Sequence, residues 1–430
     1  MNKYLFFFCI SLCAWINLSA QYCTSDQRFT NFPVFTEAQL MYDTTVVYGQ
    51  AMNHQGLVQE LLLNICFPDT NLDTFHKRPL VVLMHGGGFL VGSRNDMNSM
   101  CIQFARRGFV AATIGYRLGW DSGGAGCNGD TLSNIRAVYR GLQDAHAAVR
   151  YLVAHAETYR IDTAWIFSGG ESAGGVNTLN LAFTQQSEMN TRYPFLEPNL
   201  GAIYNSGNGL TNSFSLKGIF NNWGSIVDTG FINIEDARPM IAFHGDMDEC
   251  LPIDYGPYNT CLNYVHLYGS RAVYERLQTL GQCAEINIKT GGDHGIYDET
   301  PESDLYRVNR ASCFFKSLFC QDCASKILND STSSDCSITG ITPPFSTASH
   351  VSIYPNPGNG IISIYTGMES EYTSSLRLYN LQGQTIHLIH SDQTPEIFVL
   401  DMSGLPSGTY FFHLISGKEL RTGRIMILQP

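Results

Sequence analysis

Four short stretches of this chain hold residues that together could transfer an acyl group. The first reads Ser168-Gly169-Gly170-Glu171-Ser172-Ala173-Gly174-Gly175. It follows an apolar run, Ala164–Phe167, and precedes a helix candidate, Val176–Phe183. A serine framed by glycines in a strand–turn–helix setting sits on a sharp turn, where side chains at the flanking positions would meet the neighbouring elements. The turn also sets the hydroxyl at a helix head, whose N–H groups favour negative charge. Ser172 is therefore the candidate nucleophile. The second stretch, His85-Gly86-Gly87-Gly88-Phe89, directly follows the apolar run Leu80–Met84. Glycines there let backbone N–H groups turn toward a developing oxyanion. The N–H groups of Gly87, Gly88 and Ala173 are the candidate donors. The stretch lacks the Gly-Lys-Ser/Thr ending that a phosphate loop requires.

An acid and a base should follow on loops after later strands. Met240–Phe243 leads into His244-Gly245-Asp246-Met247-Asp248-Glu249-Cys250-Leu251-Pro252, where Asp246, Asp248 and Asp254 compete for the acid role and Asp248 is preferred. Glu171, inside the turn, is expected to point away from any histidine. Ile286–Ile288 leads through a glycine-rich turn to Asp293-His294-Gly295, which makes His294 the candidate base. In this reading His294 takes the Ser172 proton and Asp248 holds the imidazole tautomer. That chemistry calls for no metal and no organic cofactor. Phe89, Trp120 and Trp223 are candidate lining residues of a substrate pocket.

These loops need a scaffold. Thr45–Tyr48 and Leu61–Phe67 read as a first hairpin. Leu80–Met84, Phe109–Ile114, Ala164–Phe167, Ala202–Tyr204, Met240–Phe243 and Ile286–Ile288 read as buried parallel strands. Between them, 134–158 carries apolar residues on one helical face. Alternating strands and helices imply an α/β class with a mostly parallel sheet covered on both faces. Residues 324–349 are rich in Ser, Thr and Pro and read as a linker. Beyond 350, seven short runs punctuated by turn residues predict a small all-β sandwich: Val351–Tyr354, Ile361–Tyr365, Leu376–Tyr379, Thr385–His390, Ile397–Leu400, Tyr410–Ile415 and Arg424–Leu428.

Composition narrows the setting. Of 430 residues, 44% are hydrophobic and 15% charged, with 38 acids against 26 Lys and Arg and a formal net charge of −12. That balance disfavours nucleic acid, whose neutralisation needs clustered cations. Residues 1–20, with Lys3, an apolar run over 4–16 and Leu18-Ser19-Ala20, read as a secretory signal peptide, and the run is too short to span a membrane. The remaining chain is thus expected to hold no integral membrane segment. Thirteen cysteines are present; eleven lie after residue 20, an odd number, so at least one stays free or pairs outside the chain. The lone Cys320-x-x-Cys323 lacks a second pair to complete a zinc site, so disulfides are its better reading.

The four stretches resemble the α/β-hydrolase superfamily. Within it they look like esterases that join an HGGG loop to a GESAGG elbow, a branch that includes carboxylesterases and hormone-sensitive-lipase-like esterases. Gly115-Tyr116-Arg117-Leu118 and Gln143-Asp144-Ala145 carry the same likeness, which spans about residues 40–320. The order Ser172, Asp248, His294 is the order of that fold. Two departures are visible. Residues 208–237 are too few for a large helical lid, and the HGDMD loop is closer to smaller esterases acting on polysaccharide side groups or polyesters. The tail resembles the C-terminal sorting domain of the type IX secretion system through Tyr354-Pro355-Asn356-Pro357, Leu378-Tyr379-Asn380-Leu381-Gln382-Gly383-Gln384 and Leu405-Pro406-Ser407-Gly408-Thr409-Tyr410. This resemblance implies passage through the periplasm of a Gram-negative bacterium, engagement of that machinery by residues 350–430, and release at or beyond the surface. A carbohydrate-binding sandwich is the alternative for the tail.

The resulting expectation is a catalytic domain over 21–323, then linker and sorting domain. Its activity would be carboxylic ester hydrolysis on small or polymeric substrates: short acyl, feruloyl/acetyl or polyester. A serine peptidase of the same fold and a non-catalytic adhesion protein with a hydrolase shell are the alternatives. The complete Ser–Asp–His order disfavours the second, and the lack of a propeller-like N-terminal domain disfavours an oligopeptidase.

Overall fold

The computed structural model describes residues 21–23, 27–73, 75–124, 126–297, 301–336, 352–356, 358–365, 374–380, 385–391, 397–416 and 419–429. The expected signal peptide and the second half of the expected linker, 337–349, lie outside these. Contacts divide the chain into two units, Met1–Ile338 and Thr339–Pro430.

The first unit is built on a nine-stranded sheet. In chain order its elements are β1 (Leu40–Met52), β2 (Val58–Pro68), β3 (Arg78–Met84), α1 (Asn98–Arg106), β4 (Val110–Ile114), α2 (Thr131–Ala154), α3 (Ala156–Tyr159), β5 (Ile161–Glu171), α4 (Ala173–Phe183), α5 (Gln186–Arg192), α6 (Leu196–Leu200), β6 (Leu216–Asn222), β7 (Met240–Gly245), β8 (Tyr255–Pro257), β9 (His266–Tyr268), α7 (Ser270–Thr279), β10 (Ala284–Lys289), α8 (Pro301–Phe319) and β11 (Lys326–Asn329). The sheet runs β1-β2-β4-β3-β5-β6-β7-β10-β11. The β1–β2 and β2–β4 pairs are antiparallel, and every later pair is parallel. β8 and β9 form a separate antiparallel hairpin.

Strand periodicity assigns the two faces. Leu80, Val82 and Met84 of β3 join one core with the apolar faces of α2, α4 and α7. Val81 and Leu83 join the other, with Phe104 of α1 and Phe314, Phe315 and Phe319 of α8. Both faces are therefore buried, which is why these strands read as continuous apolar runs. The α/β class with helices on both faces follows.

Two expectations are corrected. Ala202–Tyr204 is a turn, not a strand; Gln186 Oε1 accepts the Ile203 N–H at 2.7 Å. The strand beside β5 is β6, whose text LKGIFNN carries Lys217 and two asparagines. Its C-terminal end is polar because Asn221 and Asn222 lie beside the elbow, so apolarity alone misplaces the strand. Residues 326–329 are not linker but the edge strand β11, parallel to β10. An edge strand held by backbone pairing, with every second residue exposed, leaves little apolar signal.

Four disulfides join Cys23–Cys320, Cys127–Cys261, Cys283–Cys323 and Cys313–Cys336; Cys66, Cys101 and Cys250 are free. The two cysteines of the C-x-x-C thus part company. One ties the N-terminal segment to the end of α8, and the other ties β10 to the segment leading into β11.

The second unit holds β12 (Ser352–Tyr354), β13 (Ile361–Tyr365), β14 (Ser374–Tyr379), β15 (Thr385–Ser391), β16 (Ile397–Asp401), β17 (Gly408–Ser416) and β18 (Glu419–Ile427). They form antiparallel sheets β12-β13-β16 and β15-β14-β17-β18 around Ile362, Leu376, Phe398, Phe412 and Ile425. Each expected strand overlaps one of these seven. Among the described residues no helix is long and apolar enough to cross a membrane, and no group of three or more His, Cys, Asp or Glu could hold a metal ion.

The Cys313–Cys336 bridge, with a sequence separation of 23, closes a loop that contains β11. Replacing both cysteines by serine should cost about 3 kcal/mol. The check is urea unfolding followed by tryptophan fluorescence, with a lower midpoint and an equal or steeper slope, since the released chain exposes more surface when unfolded.

Candidate active site

The site grows from the end of β5. Ser172 adopts φ 53° and ψ −117°, a left-handed conformation unusual for a residue with a side chain. The turn is locked on both sides: Ser172 N–H donates to Asn222 O at the end of β6 (2.9 Å), and Ser172 O accepts from Val176 N–H in α4 (2.9 Å). Gly174 cannot be another residue, since a Cβ there would run into the Met84 carbonyl at the end of β3. The close approach of β3, β6 and α4 is what presents the Ser172 hydroxyl above the sheet.

The loops after β7 and β10 meet this hydroxyl. His294 Nε2 lies 2.8 Å from Ser172 Oγ, and His294 Nδ1 lies 2.8 Å from Asp248 Oδ2. Asp248 Oδ1 accepts the N–H groups of Cys250 and Leu251, each at 2.8 Å. The fully buried His244 stands behind: its Nε2 is 2.8 Å from Leu251 O and 3.2 Å from Asp248 Oδ2, while its Nδ1 is 2.6 Å from Ser270 Oγ. The other two candidate acids are employed elsewhere. Asp246 accepts the Gly291 N–H (2.6 Å), and Asp254 pairs with Arg271 (2.8 Å). Of the three, Asp248 alone reaches His294. Burial pushes the Asp248 carboxyl up, but hydrogen bonds from His244 and His294 outweigh it and hold the acid well below its usual range. Burial pulls the His294 imidazole down; hydrogen bonds to Asp248 and to the neighbouring Cys250, with the nearby negative charge, reverse this and leave it raised.

The glycine loop after β3 lies opposite. Gly87 (φ 106°) and Gly88 (φ 60°) take conformations that side chains resist, and Gly87 O accepts from Leu90 and Val91 in a tight turn. Among the described residues the N–H groups of Gly87, Gly88 and Ala173 have no acceptor within the chain. Trp120 Nε1–H donates to Gly88 O (2.9 Å) and so fixes the peptide that carries the loop.

A cleft of about 670 Å³ opens beside Ser172, Gly88 and Ala173 and continues between Val138, Val176, Val227, Leu251, Val265 and Leu267. Phe89 lines it. Trp120 and Trp223 do not line it. Trp120 packs behind the glycine loop against Tyr258 and Tyr264. Trp223 is buried with its ring centroid 6.3 Å from that of His294, and the Arg307 guanidinium lies 4.8 Å over its ring. Arg307 binds Glu171 (2.6 Å) and Asp304, which turns Glu171 away from His294. Both tryptophans stand one layer behind the lining, because large flat rings brace loops as readily as they face ligands. Sequence reasoning missed His244, Arg307 and the hairpin residues Tyr258, Val265 and Leu267. For the hairpin the available signal was Cys261, whose partner Cys127 lies in the glycine-rich segment after Trp120.

Residues 63–233 match the protein-family model described as BD-FAE, and residues 352–428 match the secretion system C-terminal sorting domain. Both resemblances read from the sequence, to α/β-hydrolase esterases and to type IX sorting domains, thus meet a family match, and the tail marks the chain for type IX export. Among curated proteins the chain is similar to a neuroligin-like protein, glit-1, of Caenorhabditis elegans, 32% identical over 127 residues, 30% of this chain and 16% of that protein. It is also similar to the bile salt-activated lipase of Bos taurus, 32% identical over 124 residues, 27% of this chain and 20% of that one. The chain therefore spans a fifth or less of these relatives. Solved structures similar to it include a thermophilic esterase from Thermogutta terrifontis with propionate bound (18% identity, TM-score 0.42, 63% of this chain and 92% of that one) and esterase B from Lactobacillus rhamnosis (17%, 0.44, 66% and 88%).

Because Asp248 favours the protonated ring, the His294 imidazole should titrate above the ordinary value of about 6.5. In Asp248→Asn it should titrate lower. Proton NMR of the ring resonances against pH reads both midpoints; equal midpoints would contradict the coupling.

Proposed function

We propose that this chain is an exported serine carboxylic ester hydrolase that works through an acyl-enzyme. The observation that carries this is the continuous relay Ser172–His294–Asp248 at one end of an apolar cleft, opposite three N–H groups without acceptors. Ser172 Oγ adds to the ester carbonyl as its proton passes to His294 Nε2. Asp248 keeps the ring oriented and favours the imidazolium that forms. The carbonyl oxygen, now negative, is held by the N–H groups of Gly87, Gly88 and Ala173, where a water-poor site makes such donors effective. His294 returns the proton to the departing alkoxide. Water then enters, gives a proton to His294, and releases the acid by the reverse steps.

The cleft wall supports a choice of acyl group. Val138, Val176, Val227, Leu251, Val265 and Leu267 are branched aliphatics, which suit a short saturated acyl chain held by burial alone. We assign short aliphatic acyl esters as the preferred substrates, with the alcohol portion, small or polymeric, toward the open rim.

Ser172→Ala should lower kcat on the order of 10⁵-fold or more while leaving the melting temperature unchanged. Asp248→Asn should cost about 10⁴ and Asp246→Asn little. The measurement is hydrolysis of p-nitrophenyl acetate, butyrate and octanoate, a feruloyl ester and a peptide anilide, with butyrate expected above octanoate. Turnover of the anilide alone would reject the esterase reading.

The base form of His294 must be neutral. Its raised pKa means that kcat/KM falls as pH drops through a value above about 6.5 and is fully present only on the alkaline side. An acid limb centred at or below that value would contradict the relay as drawn.

A further inference from the structure

The hairpin β8–β9 lies between the acid loop and α7, and the relay makes no use of it. Three observations place one of its residues at the chemistry. Tyr258, directly after β8, lines the same cleft as Ser172, Gly88 and Ala173. A Cβ built on Gly88 would stand 3.3 Å from Tyr258 Oη and would have no other neighbour within 4 Å. The hydroxyl is thus the group that faces this glycine of the oxyanion loop across the cleft.

The side chain is also held. Tyr258 N–H donates to Val265 O (3.0 Å), Cys261 N–H donates to Tyr258 O (3.1 Å) and Asn259 N–H donates to Cys250 O (2.9 Å), which roots the turn in the acid loop. The Cys127–Cys261 bridge anchors the hairpin to the segment after Trp120. The ring packs against Tyr264 and Trp120, with centroids at 5.9 and 6.4 Å, and Trp120 donates to the Gly88 carbonyl. Phenol, indole and oxyanion loop therefore share one frame, and a donor fixed before the reaction needs no reorganisation during it. Burial pushes the phenol up to about 12, so it keeps its proton throughout the working range of His294.

Resting on the esterase reading, we propose that Tyr258 is a further catalytic residue, whose Oη–H donates a hydrogen bond to the ester carbonyl oxygen beside the Gly88 N–H. As Ser172 Oγ bonds to the carbonyl carbon, the C=O π pair moves onto that oxygen. Tyr258 retains its proton and shortens its hydrogen bond to the new charge. When the tetrahedral species collapses the pair returns to the carbonyl, the C–O bond to the alcohol breaks, and the leaving alkoxide takes its proton from His294. The hydroxyl thus acts more strongly on the transition state than on the bound ester.

Tyr258→Phe removes the donor and keeps the ring. On p-nitrophenyl butyrate its kcat should fall on the order of 100-fold with KM within about twofold. Affinity for an alkylboronic acid, which adds to Ser172 as a tetrahedral anion, should weaken in parallel, while affinity for butyrate stays level and the melting temperature holds. Tyr258→Leu, which also loses the ring, should raise KM in addition. Unchanged kcat in Tyr258→Phe, or a loss confined to KM, would overturn the proposal and leave Tyr258 a wall residue. The two readings fail separately. Full turnover in Ser172→Ala would remove the esterase reading, whereas an inactive Ser172→Ala beside a wild-type Tyr258→Phe would remove only the tyrosine donor.

Discussion

The left-handed turn at Ser172 is the constraint on which the remaining geometry depends. A non-glycine residue held at φ 53° and ψ −117° costs on the order of 1–3 kcal/mol and persists only where the surroundings over-determine it. Here β3 presses from one side through the Met84 carbonyl, which leaves room only for Gly174. β6 holds the other side through Asn222 O, and the buried face of α4 closes the back with Val176, Leu179 and Phe183. Relaxing any of the three would let the turn revert and drop the hydroxyl out of reach of His294. The two apolar cores are therefore the source of rigidity for one dihedral angle.

Buried charges do a comparable service for the opposite wall. Arg117 donates to Asp144 through its own N–H (2.7 Å) and its guanidinium (2.7–2.9 Å), and a further guanidinium N–H reaches Gln143 Oε1 (2.9 Å). Arg140 of the same helix donates to Gly119 O (2.6 Å), and Gly119 N–H donates to Phe89 O (2.7 Å). The segment after β4, the middle of α2 and the end of the glycine loop thus become one hydrogen-bonded block. A buried ion pair adds little net stability, but losing one partner is costly, so the arrangement favours a single position of the loop. This explains physically why Gly115-Tyr116-Arg117-Leu118 and Gln143-Asp144-Ala145, far apart in sequence, belong to one likeness: they are two halves of one contact.

What the sequence made legible follows the same division between local and non-local causes. β3, β4 and β7 are buried on both faces, so each appears as a largely apolar run, whereas β10 sets Ile286 and Ile288 beside a buried Glu285 and Asn287 that Arg310 and Tyr306 satisfy. The elbow, the glycine loop and the order of Ser172, Asp248 and His294 are set by local turn chemistry. In the tail β14, β16 and β17 alternate buried and more exposed residues because one face of each is wet. β6 was displaced onto Ala202–Tyr204 because Asn221 and Asn222 serve the elbow: Asn221 Oδ1 accepts the Gly224 N–H (3.1 Å) and Asn222 Nδ2–H donates to Gly170 O (3.1 Å). β11 escaped because its partner, not its own residues, defines it. The cleft wall was the least legible part. It gathers side chains from segments spread between Gly88 and Leu267, and residue type at any one of them does not reveal which way it faces.

The short 208–237 stretch rules out a large helical lid, yet the cleft is covered, and the means of covering it has consequences. A helical lid can open as a body and admit a bulky substrate. Here Val265 and Leu267 reach the cleft from a hairpin fastened at several points: the Cys127–Cys261 bridge, the bridge pairing of Ile226 with Tyr268, and the backbone bonds to the acid loop. A cross-link over 134 residues removes much of the freedom such a loop would have, and a wall that is already ordered asks little entropy of the ligand that meets it. The same rigidity sets a limit: with the hairpin held in place, discrimination among acyl groups on the esterase reading falls to the fixed depth of the aliphatic wall. One extra methylene in such a pocket is worth only about 1–3 kcal/mol. On the esterase reading, selectivity should therefore fall off in graded steps with chain length.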